Sequence, residues 1–196
     1  MVDYGVGNLF SLKCALERAG FSVSIASLPS QLEKTDAIVM PGVGSFSAAS
    51  QNLEPFKSKI IELAEGGVPL LGVCLGMQLI FAESEEGKGS GLSLFPGRVV
   101  RLPSSVKIPH MGWNTLHVVR QNELLDDVRE ESFVYFVHSY YSVPLNQEVI
   151  VAETTYEVTF ASVIAEHDVY GTQFHPEKSG ETGLTLLRNF AKIAKR

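Results

Sequence analysis

Cysteine is nearly absent from this chain, which has 196 residues but only two cysteines, Cys14 and Cys74. Two cysteines in a chain of this length do not form the disulfide framework of a small secreted protein. We therefore expect a protein that folds around an apolar core in a reducing compartment, the cytoplasm. The hydrophobic fraction of 45% is large enough for such a core, and the length fits one domain that spans residues 1–196.

The sequence also lacks long apolar runs, basic clusters and metal-binding spacings. No apolar stretch reaches the roughly 18 residues of a membrane-spanning helix, and the start does not have the pattern of a signal peptide. The net charge of -6 argues against nucleic acid or an anionic membrane as the main partner. None of the five histidines pairs with a second His or Cys at a metal-ligand spacing, so we expect no metal and no cofactor.

The first half of the chain alternates helix and strand patterns. Helix patterns cover 9–19 and about 47–64, the second broken or kinked near Pro55, and strand patterns cover 21–26, 37–40 and 68–73. Strands that alternate with helices imply parallel βαβ units in a doubly wound sheet. Because only four residues precede Gly5, the first strand is either very short or shorter than in relatives.

The second half of the chain has a different character, with short connections between strand patterns. These patterns cover 98–102, 113–119, 133–137, 148–153, 160–166 and 169–174, followed by a final helix at 181–194. The polar, glycine-rich stretch 83–91 is expected to be a surface loop. Together the two halves predict a three-layer α/β fold of the flavodoxin-like type. Its mostly parallel central sheet has helices on both faces and an antiparallel extension in the second half.

A single cysteine lies between two glycines in the segment 72–76, Gly-Val-Cys-Leu-Gly. The segment follows an apolar strand and precedes a helix-like stretch at 77–82, which is the pattern of a nucleophile elbow. The sharp turn of an elbow strains its central residue, and the flanking positions must lack bulk. A helix N-terminus beneath the thiol favours the reactive thiolate. Cys74 is therefore the candidate nucleophile, whereas Cys14 lies on the apolar stripe of the first helix and is interpreted as structural.

His175 is the candidate general base. It follows an alternating strand pattern that Pro176 ends, so the imidazole should lie at the end of a strand. Glu177, two residues further on, is placed to fix the tautomer of the imidazole and to stabilise the imidazolium formed when Cys74 loses its proton. Taken alone, the same residues fit a surface histidine and a solvated glutamate equally well.

Acyl transfer also needs an oxyanion hole, which is made of backbone N–H groups fixed before the reaction. The amide of Leu75 is one candidate donor, and the glycine-rich loop 41–46 is the candidate source of the second, although such a loop is equally a tight turn. The loop does not match a phosphate-binding motif, since no lysine follows it. His138, with Ser139 and Tyr140 after it, is expected either to line the substrate pocket or to serve a structural role.

At this point the motifs resemble a known family. Gly-Val-Cys-Leu-Gly-Met-Gln at 72–78 and His-Pro-Glu at 175–177 are similar to the class I glutamine amidotransferases. Further segments resemble, within that group, the glutaminase subunits of imidazole glycerol phosphate synthase, and they lie at 3–9, 41–46, 107–114, 136–141 and 173–179. The resemblance covers nearly the whole chain, and Pro-His-Met-Gly-Trp-Asn at 109–114 is its most specific part. Only the short start departs from the pattern.

The resemblance implies an activity and roles for individual residues. The implied reaction is hydrolysis of L-glutamine to L-glutamate and ammonia through a γ-glutamyl thioester on Cys74, with His175 as proton shuttle and Glu177 as its orienting group. The backbone amides of Val43 and Leu75 would form the oxyanion hole. The residues implied to hold or line the glutamine are Gly44, Gln78, Ser139 and Tyr140.

The resemblance also implies a partner, a (β/α)8-barrel cyclase subunit that forms a heterodimer with this chain. Ammonia would pass into that barrel to make imidazole glycerol phosphate and an aminoimidazole carboxamide ribotide (AICAR), a step of histidine biosynthesis. The isolated subunit would be nearly inactive until the partner is loaded. The residues implied to lie near the partner are Tyr4, Asn8, His110, Trp113 and Lys178. An exposed Trp113 suits an interface, whereas a buried Trp113 would be a core residue.

Three other functions fit the same motifs. One is a glutaminase subunit of another pathway, such as vitamin B6 synthesis, which would not need the segment 109–114. A second is a cysteine hydrolase of peptides or γ-glutamyl conjugates, with an open pocket and no need for a partner. The third is a non-catalytic binding or redox-sensing protein in which Cys74 is an oxidisable thiol.

Overall fold

Five helices and eleven strands build the chain, and the computed structural model describes residues 1–196. The helices are α1 (Leu9–Ala19), α2 (Phe46–Leu53), α3 (Lys57–Glu65), α4 (Leu75–Gln78) and α5 (Gly180–Ile193). The strands are β1 (Ile38–Met40), β2 (Leu70–Val73), β3 (Glu83–Ser84), β4 (Gly97–Arg101), β5 (His110–Thr115), β6 (His117–Val118), β7 (Phe133–His138), β8 (Tyr140–Pro144), β9 (Ile150–Tyr156), β10 (Val158–Glu166) and β11 (Val169–Thr172).

The central sheet has six strands in the order β1-β2-β11-β10-β9-β6. The pairs β1–β2 and β2–β11 are parallel, and the other three pairs are antiparallel. Two smaller sheets, β3-β4-β8 and β5-β7, flank it. The predicted α/β class is therefore correct, but the antiparallel extension reaches further than expected, because it forms half of the central sheet itself.

Helices cover both faces of the central sheet because its strands are apolar on both sides. Ile38 and Met40 of β1 join one core cluster, which contains residues of α2 and α3. Val39, between them in sequence, joins the other cluster, together with residues of α1 and α5. Successive side chains of a strand point to opposite faces, so this division makes the three layers that the sequence predicts. Both clusters reach the carboxyl end of β2, where Cys74 follows.

The start of the chain differs from the prediction of a strand at 21–26. Only Ala26 in that segment pairs with a neighbour, in a single parallel bridge to Val2. Val2 donates a backbone hydrogen bond to Val39, and Asp3 donates one to Ala26. Residues 1–3 therefore lie between β1 and Ala26 and offer too few pairing groups for a longer strand to form at 21–26.

Three further elements differ from the sequence prediction in detail. Pro55 interrupts the second helix as expected, since the 3-10 turn Glu54–Phe56 separates α2 from α3. The helix after the elbow is a single turn rather than the stretch 77–82, because carbonyl groups within 79–82 accept hydrogen bonds from the backbone of 91–94 instead. Strand β8 was not predicted, and the expected loop 83–91 contains the two-residue strand β3. No helix of the protein combines the length and the apolar character that crossing a membrane requires.

Candidate active site

The turn after β2 has the geometry of a nucleophile elbow. Cys74 has a φ of 54° and a ψ of -105°, in a region that residues with a side chain rarely occupy. A Cβ atom on Gly72 would lie 2.6 Å from the carbonyl group of Gly76, and a Cβ atom on Gly76 would lie 2.0 Å from the carbonyl oxygen of Met40. Both flanking glycines are therefore required by close backbone packing, and they leave Cys74 at the carboxyl end of the sheet.

His175 and Glu177 form a buried pair beside the elbow. The His175 Nδ1 atom lies 2.8 Å from a carboxylate oxygen of Glu177, and the two side chains are only 2% and 4% exposed. Because the carboxylate only accepts, Nδ1 carries the hydrogen and Nε2 is left to exchange a proton. No protein group makes a hydrogen bond to Nε2 within the usual distance limits. The 3-10 turn Pro176–Lys178 brings Glu177 back to the ring.

The charge on His175 is set by two opposing effects. Burial disfavours the imidazolium, but the interactions with Cys74 and Glu177 outweigh burial and raise the pKa of His175 to about 10. The protonation of His175 is therefore coupled to its interactions with both Cys74 and Glu177. At neutral pH this raised pKa favours the imidazolium form of His175, which is the form that can stabilise a thiolate beside it.

The loop 41–46 packs against the elbow. A Cβ atom on Gly42 would lie 2.6 Å from the Cβ atom of Leu75, so glycine alone permits this approach. Gly44 has a φ of 126°, a conformation that favours glycine. Val43, between them, is 48% exposed, and its N–H donates no hydrogen bond within the protein. The predicted source of the second oxyanion donor therefore lies next to the nucleophile.

A cavity of about 240 Å³ opens in front of Cys74. The residues that line it are Val43, Gly44, Cys74, Leu75, Gln78, Glu86, Pro109, Val137, His138, Ser139 and Tyr140. Every residue that was predicted to bind glutamine or its oxyanion is in this set. Glu86 and Pro109 were missed. Glu86 belongs to the expected surface loop, but its carboxylate folds inward and accepts a hydrogen bond of 2.5 Å from the backbone N–H of Phe46.

Two buried histidines support one wall of this cavity. The His138 Nδ1 atom lies 2.9 Å from the carbonyl oxygen of Tyr140, and its Nε2 atom lies 3.0 Å from Nδ1 of His110. Since the carbonyl only accepts, His138 donates to Tyr140 and accepts from His110. Burial lowers the pKa of His138 to about 3 and that of His110 to about 4, so both rings are neutral at pH 7. Gln78 donates a second hydrogen bond of 2.9 Å to the same Tyr140 oxygen.

The ribbon of β5 and β7 presents an exposed aromatic face on its other side. In the register of this ribbon Trp113 is opposite Tyr135, and the two rings meet edge to face at 5.9 Å. The Lys178 ammonium lies 5.7 Å from the centre of the Tyr135 ring. Trp113, Met111 and Phe133 are 55%, 62% and 61% exposed. We call these five residues the ribbon face, and they form one continuous apolar and cationic patch.

The five residues predicted to lie near a partner divide into two groups. Trp113, Lys178 and Asn8 are exposed. Tyr4 and His110 are buried, at 3% and 4% exposure, so their side chains do not form part of the surface of the chain alone, and their place near a partner stays a prediction. The Tyr4 hydroxyl instead donates a hydrogen bond to the carbonyl of Pro41, and His110 is stacked against other rings beneath the ribbon face.

Comparison with known proteins places this geometry in a family. The model of the class-I glutamine amidotransferase family matches residues 1–194. The chain belongs to the class-I glutamine amidotransferase family. Three curated relatives are named imidazole glycerol phosphate synthase subunit HisH. That of Natronomonas pharaonis is 48% identical over 97% of this chain and 92% of its own length. That of Archaeoglobus fulgidus is 48% identical over 100% and 98%, and that of Methanothermobacter thermautotrophicus is 47% identical over 98% and 97%.

Solved structures agree with this assignment at the level of the fold. A crystal structure of a glutamine amidotransferase superposes with a TM-score of 0.79 and covers 100% of this chain and 98% of its own, at 20% identity. The PurLQS structure from Thermotoga maritima has a TM-score of 0.79 and covers 97% and 95%, also at 20% identity. The predictions of the family, the fold class and a glutaminase of the HisH type are therefore confirmed. The chain is an enzyme subunit that releases ammonia from glutamine.

Besides Pro109, sequence reasoning missed Glu86 and Gln173 as residues of this amidotransferase site and assigned His110 to a different place. Glu86 gave no signal, because a polar loop is the usual place for a solvated glutamate. His110 was assigned to the partner side, although its position opposite His138 in the ribbon buries it. Gln173 is fully buried beside Cys74. A signal for Gln173 existed, since it is a polar residue between the buried strand 169–172 and Phe174.

Proposed function

We propose that Cys74, His175 and Glu177 are the catalytic residues of this glutaminase. The observation that carries the proposal is the buried His175–Glu177 pair beside a cysteine held in a strained elbow. The His175 imidazolium, which Glu177 orients, stabilises the Cys74 thiolate and holds a proton for the leaving group. The backbone N–H groups of Val43 and Leu75 stabilise the oxyanion, since both residues line the same cavity as Cys74.

The proposed reaction has two proton transfers through His175. The Cys74 thiolate attacks the side-chain carbonyl carbon of glutamine, and the carbonyl oxygen becomes an oxyanion. As the carbon–nitrogen bond breaks, His175 Nε2–H protonates the leaving nitrogen and ammonia departs, which leaves a γ-glutamyl thioester. His175 then takes a proton from water, the water attacks the thioester, and glutamate and the thiolate are released. Glu177 keeps the ring in one tautomer throughout.

The cavity in front of Cys74 is proposed to hold the substrate glutamine. Glu86 is the only carboxylate among the lining residues, so it is the natural partner of the substrate α-ammonium group. Gln78, Ser139 and Tyr140 line the same cavity and supply polar groups. Gly44 leaves space because it has no side chain. The Glu86 carboxylate also accepts a hydrogen bond from the backbone N–H of Phe46 at the start of α2. The same carboxylate therefore binds the substrate and holds the loop 41–46.

The proposed partner is a (β/α)8-barrel cyclase that docks on the ribbon face and on Asn8. Trp113 and the lysine of this patch are exposed, and aromatic residues are enriched at interfaces. The ribbon beneath this surface contacts two of the three catalytic residues: His175 N–H donates to the Tyr135 carbonyl at 2.9 Å, and Cys74 Sγ lies 3.9 Å from the Val137 carbonyl. Ammonia is protonated in neutral water, so its passage into an enclosed partner is required for the histidine pathway.

The proposed location of this enzyme is the cytoplasm. Its two cysteines are both free, which suits a reducing compartment. A reaction on soluble phosphorylated intermediates of histidine synthesis also suits that compartment.

The experiment that tests the proposal measures glutamate released from L-glutamine by the chain alone and with the barrel cyclase and a nucleotide substrate analogue. We expect strong activity only with the loaded partner, and loss of that activity in Cys74→Ser. Equal activity with and without the partner would reject the gating and the named partner. Full activity of Cys74→Ser would reject the nucleophile. Cys14→Ser is the matched control and should retain full activity.

A further inference from the structure

Gln173 makes a contact with the nucleophile that the reaction described above does not use. Its side chain is completely buried, at 0% exposure. The Nε2 atom lies 3.5 Å from Sγ of Cys74, and the Oε1 atom lies 3.2 Å from Nε2 of Gln78. Gln173 follows directly after β11, and its backbone N–H donates to the Ser162 carbonyl of β10 at 2.9 Å. The side chain is thus anchored from the sheet and points at the thiol.

The direction of these hydrogen bonds is fixed by the carbonyl of Tyr140. Gln78 lies 2.9 Å from this oxygen, which only accepts, so the atom of Gln78 that faces it is the amide nitrogen. The same nitrogen faces Gln173, so Gln173 presents its oxygen to Gln78. The other atom of the Gln173 amide, which faces Cys74, is therefore the nitrogen. A donor, and not an acceptor, is held against the sulfur.

The Gln173 amide N–H stabilises the thiolate form of Cys74 more than the neutral thiol. The neutral thiol has an acceptor within reach, the Val137 carbonyl oxygen at 3.9 Å from Sγ. That carbonyl repels the thiolate, whereas the Gln173 amide donates to it. Hydrogen bonds to charged groups are stronger than those between neutral groups. The Gln173 amide therefore stabilises the reactive form of the sulfur from the side of the sheet, in addition to the His175 imidazolium.

We propose that Gln173 is a positioning residue that donates a hydrogen bond to the Cys74 thiolate and is itself held in orientation by Gln78 and the Tyr140 carbonyl. The inference rests on the proposed role of Cys74 as the nucleophile and extends it. Because Tyr140 and Gln78 both line the substrate cavity, the orientation of the sulfur donor is tied to the wall that binds glutamine. A purely structural Gln173 would fill space and satisfy Gln78 without affecting the reactivity of the sulfur.

The test compares Gln173→Met with the parent in a Cys14→Ser background, which leaves Cys74 as the only thiol. Methionine is close to glutamine in length but has no N–H donor. The measured quantity is the second-order rate constant for alkylation of Cys74 by iodoacetamide at pH 7 and at pH 9.5. We expect the rate constant at pH 7 to fall about tenfold in Gln173→Met, since a lost charged hydrogen bond is of that size. At pH 9.5, which is above the ordinary pKa of a cysteine thiol, the rates should agree within about twofold.

Two results would overturn the proposal. One is an unchanged rate constant at both pH values in Gln173→Met. The other is an equal fall at both pH values, which indicates altered access to the sulfur rather than a lost donor. Gln173→Glu gives a further comparison, because it is the nearest isostere and replaces the donor with an acceptor. We expect its alkylation at pH 7 to be slower than that of Gln173→Met, since a carboxylate beside the sulfur disfavours the thiolate.

Matched controls separate this proposal from the proposed function. Thr172→Val removes a buried hydrogen bond of 3.1 Å to the Phe174 carbonyl at the same strand end and leaves the sulfur donor in place. Its alkylation profile should match the parent. Cys74→Ser in the Cys14→Ser background should show no alkylation and no glutaminase activity. If Cys74→Ser retains glutaminase activity, the proposed function fails, and the alkylation rates still decide whether Gln173 donates to the sulfur.

Discussion

Replacement of His138 by glutamine tests whether the buried histidine pair is neutral in the folded protein. The pKa of His138 is lowered from its ordinary value of 6.5 to about 3, mainly by burial and to a smaller extent by electrostatic interaction with His110 and His175, although the hydrogen bond to Tyr140 opposes this shift. Glutamine also offers a donor and an acceptor but does not titrate. The variant therefore removes the linked proton while keeping a polar side chain in the wall of the cavity.

The size of the pH effect on stability follows from the linkage between folding and proton binding. In the folded protein His138 stays neutral between pH 7 and pH 5, whereas in the unfolded chain it takes up a proton as the pH falls through 6.5. The unfolded state then binds more protons, so the contribution of neutral His138 to stability is complete above 6.5 and is lost towards pH 3. Between pH 7 and pH 5 this loss is about 2 kcal/mol for the histidine of the parent protein, and the glutamine of His138→Gln makes no such contribution.

The assay is urea unfolding of the parent and of His138→Gln, followed by circular dichroism at pH 7 and pH 5. We expect the variant to be less stable by about 1–3 kcal/mol at pH 7, because the hydrogen bonds of the pair are disturbed. At pH 5 that difference should shrink by about 2 kcal/mol. His167→Asn, at the exposed turn between β10 and β11, is the control for an exposed histidine. A difference that is the same at both pH values would refute the reasoning.

Three further changes give distinct results. Glu177→Gln should lower kcat of the partner-activated glutaminase about 100-fold or more with little change in KM, because it removes the charge that orients His175; the exposed Glu181→Gln is its control, and an unchanged kcat would contradict the assignment. Gly76→Ala should destabilise the chain by about 3 kcal/mol or prevent folding, as measured by urea unfolding, since its Cβ would lie 2.0 Å from the Met40 carbonyl oxygen. Trp113→Ala should weaken binding of the barrel cyclase about 30-fold or more in a calorimetric titration. The free energy of unfolding should stay within about 0.5 kcal/mol of the parent value, because the side chain is exposed. An unaltered affinity would show that Trp113 does not belong to the interface.

Local patterns predicted the parts of the site that depend on local rules. The elbow was predictable because two glycines around one cysteine leave few other conformations at a strand end. The pairing of His175 with Glu177 was predictable because Pro176 forces a turn that brings a side chain two residues away back to the ring. The helix α1 and its end at Gly20 followed from helical spacing and a residue with a φ of 104° at its C-terminus.

The parts that were not predicted depend on pairing between distant strands. His110 meets His138 because β5 and β7 pair in the register His110 to His138, which no local pattern specifies. The same register leaves Trp113 and Tyr135 on the outer side. Strand β8 was missed because it follows β7 after a single residue, Ser139, and the two together form one continuous polar and aromatic stretch in the sequence.

The register of β11 decides which side chain lies beside the nucleophile. Thr172 of β11 pairs with Val73 of β2, so the residue after Thr172 lies next to Cys74. Side chains alternate along this extended segment, and Gln173 turns towards the sulfur while Phe174 joins the core cluster that contains α1 and α5. A slip of one residue would exchange the two and place a phenyl ring against the thiol. Because the antiparallel pairing of β11 with β10 holds the same register from the other side, the mixed sheet fixes the donor at Cys74 more firmly than one parallel neighbour does.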